Sequence, residues 1–199
     1  IVMTRGQIDE AEGYYQRALE HARRLSTVSE EMGAQKRLAK LYLRKGRMDE
    51  ARAAIDEASR LARQVGSKYE QAQTEETFGE LQSAGNHPSE AVDHFERAAA
   101  LYATLSKYRL AAGCFAKAGL ACAGAGGTLE AKRYLDRAQD LVKSRIGQEI
   151  PEEIVTLQQA LREQLLPSGV SGTESQKLLY AFYELSSLAD HVSIQLNDT

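Results

Sequence analysis

Four stretches of the chain begin 40 residues apart and read alike: GQIDEAEGYYQRALEHARRL from Gly6, GRMDEARAAIDEASRLARQV from Gly46, NHPSEAVDHFERAAALYATL from Asn86 and GGTLEAKRYLDRAQDLVKSR from Gly126. The register does not slip between copies. A chain built on a period of this length folds as a stack of similar units, each burying its apolar face on its neighbours.

The aligned positions say what the unit is. Ala11, Ala51, Ala91 and Ala131 coincide, as do Ala18, Ala58, Ala98 and Ala138. Between them fall Tyr15, Ile55, Phe95 and Leu135, four after the first alanine and three before the second. Offsets of four and three trace one face of a helix. Small residues there let helices approach, and the large residue fills the remaining space. Glu10, Glu50, Glu90 and Glu130 sit in the first turn, where negative charge suits the helix dipole. Gly6, Gly46, Asn86 and Gly126 hold the turn position; glycine and asparagine share tolerance of a left-handed backbone, so a tight turn is predicted at each. A second helix per unit lies between these stretches. Thr27 with Glu30, and Ser67 with Glu70, form capping-box patterns. Ala39, Gly79 and Gly119 align within this second helix, 12 residues before the alanine of the next stretch.

Composition agrees with helix throughout: 43% hydrophobic residues, three prolines and no tryptophan. The net charge of −3 is small and the signs are interspersed, so neither nucleic acid nor a basic partner is implied. No apolar run approaches the roughly 18 residues of a membrane span, and no signal peptide opens the chain. Cys114 and Cys122 lie about 12 Å apart along a helix axis, too far for a disulfide. They read as small buried residues in a reducing, cytoplasmic setting. The methionine comes third and the first unit lacks its first helix, from which we expect a segment of a longer protein.

A small residue, an alanine 12 on, a bulky residue four later and another alanine after three more: this pattern resembles the tetratricopeptide repeat (TPR). The resemblance covers residues 1–166. The period is 40 rather than 34, as in the long-helix TPRs of kinesin light chains, polarity adaptors and bacterial signalling regulators. The family's aromatic in the first helix is Gln35 and Glu75 here, with Phe115 the one match. Its usual proline after the second helix is replaced by Arg63, Ala103 and Lys143. The resemblance implies an all-α, right-handed solenoid of antiparallel helix pairs. It also implies a concave face, formed by the first helix of each pair, that binds a protein or peptide partner. Carried over position by position, that face holds Lys36, Lys40 and Arg44, then Glu76, Glu80 and Ser83. Gly113, Ala116, Leu120 and Ala123 follow, then Thr156, Ala160 and Glu163. This predicts a groove with a basic end and a smooth small-residue patch, suited to an acidic and apolar peptide. Lys36 aligns with Glu76 and Lys40 with Glu80, so cross-repeat ion pairs are the competing use of these charges. The asparagines of chaperone-tail and peptide-pheromone grooves are missing.

Residues 167–174 read as a linker and 175–199 as a final helix, with Thr173 and Gln176 as its capping box. Leu178, Phe182, Leu185, Ala189, Val192 and Leu196 form a short heptad seam that either caps the array, lying on Ala116 and Leu120, or joins a homodimer.

Nothing in the sequence requires catalysis. His21, His87, His94 and His191 show no metal spacing. Neither a phosphate loop nor a nucleophile elbow is present, and the glycines after Gly124 fall in an inter-helix turn with no strand before them. No cofactor or metal is expected. The sequence reads as a non-catalytic interaction scaffold from a larger signalling or transcription regulator. The rivals are an oligomerisation spacer acting through the last helix and a vesicle-fusion adaptor-like helical repeat.

Overall fold

A helix with an alanine seam is stable only against a second helix that has a matching one, and the chain supplies them in alternation. The computed structural model describes residues 5–146 and 151–165. Its elements are α1 (Arg5–Arg24), α2 (Val28–Arg44), α3 (Met48–Val65), α4 (Lys68–Ala84), α5 (Pro88–Thr104), α6 (Tyr108–Gly124), α7 (Thr128–Leu141) with a π-helical end at Val142–Ile146, and α8 (Glu152–Leu165). Consecutive helices pack on one another from end to end, giving an all-helical solenoid. Even-numbered helices also touch each other, α2 against α4 and α6 against α8, whereas among the described residues odd-numbered helices make no comparable approach. The even helices are therefore the inner row. The sequence stretches from 167 onward, including the proposed linker, capping box and heptad seam, lie outside the described residues.

The alanine seam is the core. Ala51, Ala58, Ala91, Ala98, Ala131 and Ala138 are at most 1% exposed, and Ile55, Phe95 and Leu135 between them are at most 2% exposed. The second-helix small residues fit the same way. A Cβ on Gly79 would stand 2.6 Å from the Phe95 ring, and one on Gly119 would stand 2.5 Å from Leu157 Cδ2. The first copy is the exception: Ala18 is exposed and Tyr15 half-buried, because among the described residues α1 has only α2 packed on it, whereas each later odd-numbered helix lies against two even-numbered ones.

Both turns of the unit use a left-handed residue. Gly46, Asn86 and Gly126 have φ of 70°, 59° and 82°, as predicted. The turn leading back to the inner row does the same at Ser26, Gly66 and Ser106, which the sequence reading had not singled out. Gly6 corrects the prediction, since it lies inside α1 rather than at a turn. The two predicted capping boxes also differ. Ser67 Oγ accepts from the Glu70 backbone N–H at 3.3 Å. Thr27 makes no such cap and instead donates to the Ala22 carbonyl at 3.4 Å, closing the preceding turn.

Candidate functional site

Side chains of successive units meet along the inner row, and its charges pair in a register the alignment does not show. Lys36 Nζ bonds the Glu70 carboxylate and the Gln73 Oε1, the latter at 2.6 Å. The predicted Lys36–Glu76 and Lys40–Glu80 pairs are therefore replaced. Side chains lean toward the N-terminus of their helix and stacked helices cross at an angle, so contacting residues are not those 40 apart. Lys40 and Arg44 are exposed further along α2.

Glu76 and Glu80 share one cation from the next unit. Lys117 Nζ lies 2.6 Å from Glu76 Oε1 and 2.6 Å from Glu80 Oε1. The Tyr102 hydroxyl donates to the other Glu76 oxygen at 2.9 Å. Burial by itself would depress the Lys117 ammonium, but the charges of Glu80 and Glu76 outweigh it and hold its pKa above the ordinary lysine value. Burial, reinforced by the Glu76 charge, pushes the Tyr102 hydroxyl well up, so it stays a donor. This network spans α4 and α6, which stand apart where α2 and α4, or α6 and α8, close up.

The gap is a cleft of about 400 Å³. Glu80 and Ser83 line it from α4, Lys117 and Leu120 from α6, and Pro88 and Phe95 from α5 between them. Of the predicted positions, the structure brings Glu80, Ser83 and Leu120 together here. Ala116 is fully buried, and Gly113 and Ala123 are buried too, so the expected small-residue patch is not a surface. Ala116 belongs instead to a core with Leu135 of α7 and Leu157 of α8. Thr156 and Glu163 are exposed on α8 and Ala160 is half-buried. Lys117 was the residue missed. The available signal was the one cation in the LAAGCFAKAGLACAG stretch from Leu110 to Gly124, one unit after two carboxylates four apart.

The described groups near the cleft suit binding more than chemistry. Burial raises the Cys114 thiol far above its usual range and raises Cys122 as well, leaving both protonated and unreactive. His94 is held by Glu75 at 2.8 Å and stacks on Phe78 at 5.1 Å between ring centroids. Among the described residues no group of three or more His, Cys, Asp or Glu stands ready to hold a metal. None of the described helices is long and apolar enough to cross a membrane.

Comparisons with known proteins agree with this geometry. Residues 30–104 match the model of a tetratricopeptide repeat family. The fold is similar to that of the nearly identical TPR-like repeats assigned to a kinesin light chain of Podosopora anserina. At 18% identity it covers 92% of this chain and 89% of that one, with a TM-score of 0.66. A second structure, of a substituted form of the same repeats, matches at 18% identity, covering 94% and 90%, with a TM-score of 0.66. No curated protein matches the chain in sequence.

Proposed function

We propose that this chain is a non-catalytic interaction module that docks a peptide or helix along its inner row, with the cleft between α4 and α6 as the principal seat. The observation that carries this reading is the cleft itself. It is an opening between two inner helices, walled by Leu120 on one side and by Glu80 and Ser83 on the other. Lys117 is one positive charge against the two carboxylates it bridges, Glu80 in the cleft wall and Glu76 behind it, so this trio carries one net negative charge beside the cleft. The exposed Lys40 adds a positive charge at the α2 end. A ligand that fits both carries acidic residues over α2 and an apolar side chain, flanked by a cation, in the cleft. Binding of this kind places one or two anchors in a pocket and spreads the rest over complementary charge.

The same reading makes the array the long-helix, 40-residue form of the repeat. It also makes the chain a cytoplasmic part of a larger signalling or transcription regulator. The match to TPR-like repeats supports the scaffold, and the spacing of the sequence copies supports the long-helix form.

Selection of displayed random peptides against the chain tests the proposal. Enriched peptides should lose binding to the Leu120→Asp variant and weaken against Lys40→Glu. Enrichment untouched by both changes would sink the inner-row reading.

A further inference from the structure

The small net charge of −3 conceals an uneven distribution between the two edges of the array. Consecutive helices pack antiparallel through short turns. The turns α1–α2, α3–α4 and α5–α6 therefore open on one edge, and the turns α2–α3, α4–α5 and α6–α7 on the other. Each turn of the first edge carries two cations: Arg23 and Arg24, Arg63 and Lys68, Lys107 and Arg109. On the opposite edge, residues 84–90 and 124–130 hold Glu90 and Glu130 with no lysine or arginine. At its remaining turn Lys45 and Arg47 are held by Glu12 at 2.6 and 2.7 Å. Several acids of the basic edge are already engaged. Arg23 holds Glu31 at 2.9 Å, Lys36 holds Glu70, and the Glu153 carboxylate lies beside Gly113. Glu30, Asp140 and Glu152 are exposed there, against exposed Arg24, Arg63, Lys68, Lys107, Arg109 and Arg145.

The same turns project apolar side chains. Leu25 is 66% and Val65 50% exposed at the same position of consecutive units, and Tyr69 and Leu110 are exposed on this edge as well. Where α7 ends, the Arg145 guanidinium lies over the Tyr108 ring at 5.4 Å. With Lys107 and Arg109 it borders a shallow hollow of about 340 Å³ at the start of α6, and no acid is among the residues lining that hollow. Side chains that project from cationic turns suit a deformable anionic surface. The aliphatic and tyrosine groups enter the headgroup layer while arginine and lysine stay at its charged plane. A partner helix asks instead for a groove to receive its side chains, and projecting turns do not form one.

We propose that this edge of the array docks on an anionic lipid membrane surface, with Leu25, Val65 and Leu110 entering the headgroup layer and the cations of the turns lying against lipid phosphates. The attachment is peripheral, through side chains of the turns and not through a spanning helix. The cleft between α4 and α6 opens toward the opposite edge, at Ser83, Asn86 and Gly124, so docking leaves it accessible.

The experiment is cosedimentation of the full 199-residue chain with sucrose-loaded vesicles, of phosphatidylcholine alone or with about a third phosphatidylserine. Binding to the anionic vesicles and not to the neutral ones is expected, falling steeply between about 0.05 M and about 0.5 M salt. Each cation near such a surface is worth about fivefold in affinity, so Lys68→Glu combined with Lys107→Glu should weaken binding by about twentyfold or more. Leu25→Ser combined with Val65→Ser should weaken it by about tenfold. Arg133→Glu, at an exposed position about two turns of α7 away from this edge, should leave it within about twofold. All three variants change exposed positions, and their circular dichroism should match that of the wild type. No binding to the anionic vesicles, binding indifferent to salt, or binding untouched by the double charge reversal overturns the proposal. So does binding that the charge reversal weakens and the two serine substitutions leave unchanged, which would reduce the edge to a bare anion contact. Binding to polyglutamate with none to vesicles also overturns it, giving the edge to an acidic protein segment.

Discussion

Gly119→Ala reverses the usual sign of a glycine substitution in a helix. In an open helix interior, alanine is favoured over glycine by about 1 kcal/mol. Gly119 is not open: the added methyl would meet Leu157 Cδ2 at 2.5 Å, Leu157 Cδ1 at 3.2 Å and the Ala131 carbonyl oxygen at 3.2 Å. Leu157 is itself fully buried and has little room to turn aside. The carbonyl belongs to the backbone of α7, so relief requires the α6–α7 pair to open. Overpacking of this kind costs about 1–3 kcal/mol. Set against the propensity gain, the expected net destabilisation is about 1–2 kcal/mol. Gly124, also in α6, is the control. Nothing lies within 4 Å of a Cβ there, so Gly124→Ala should stabilise by up to about 1 kcal/mol. Urea unfolding followed by circular dichroism measures both, read as shifts in midpoint at constant slope. If Gly119→Ala stabilises as much as Gly124→Ala, the close approach of α6 to α7 and α8 is wrong, and the seam argument fails with it.

Other outcomes follow from the same packing. Lys117→Met leaves Glu76 and Glu80 facing each other without their cation. Because these side chains retain about a fifth to a third of their exposure, we expect a loss of about 1–2 kcal/mol in urea unfolding, less than for a fully buried pair. Glu75 feels burial, which raises its pKa, but His94 and Arg97 outweigh this and hold it below the ordinary glutamate value of 4.5. Its contribution to stability is therefore complete above that value and lost as pH falls through the depressed folded pKa. The gap in urea midpoint between the wild type and Glu75→Gln should close on acidification below about 4.5. Ser106 sits at φ 56° without the freedom of glycine, so Ser106→Gly should stabilise the fold by about 0.5–1 kcal/mol in the same urea assay.

What the sequence made legible was whatever depends on spacing along one helix. The alanines and the bulky residue between them share a face by the geometry of 3.6 residues per turn, and all of them are buried from the second copy onward. Asn86 standing in for glycine marked its turn for the same reason: the backbone conformation there is local. The inner-row contacts were not legible, because they depend on crossing angles between helices. Lys36 therefore meets Glu70 instead of Glu76, and Lys117, on a helix rich in small residues, ties two carboxylates of the preceding unit. Ala116 was misplaced because small residues look alike on a surface patch and in a seam; only the packing of α8 over α6 separates the two cases. The missing capping bond at Thr27 is a smaller instance, a hydroxyl with two local choices that sequence does not rank.

The central claim is that ligands are held by the inner row at the cleft between α4 and α6. The direct measurement replaces Leu120, and separately the exposed outer-row Ala100, with a photoreactive benzoylphenylalanine, and irradiates each protein with a library-selected peptide. Crosslinking from position 120 and none from position 100 is the predicted result. Capture from position 100 alone would place the ligand on the outer row and contradict the account.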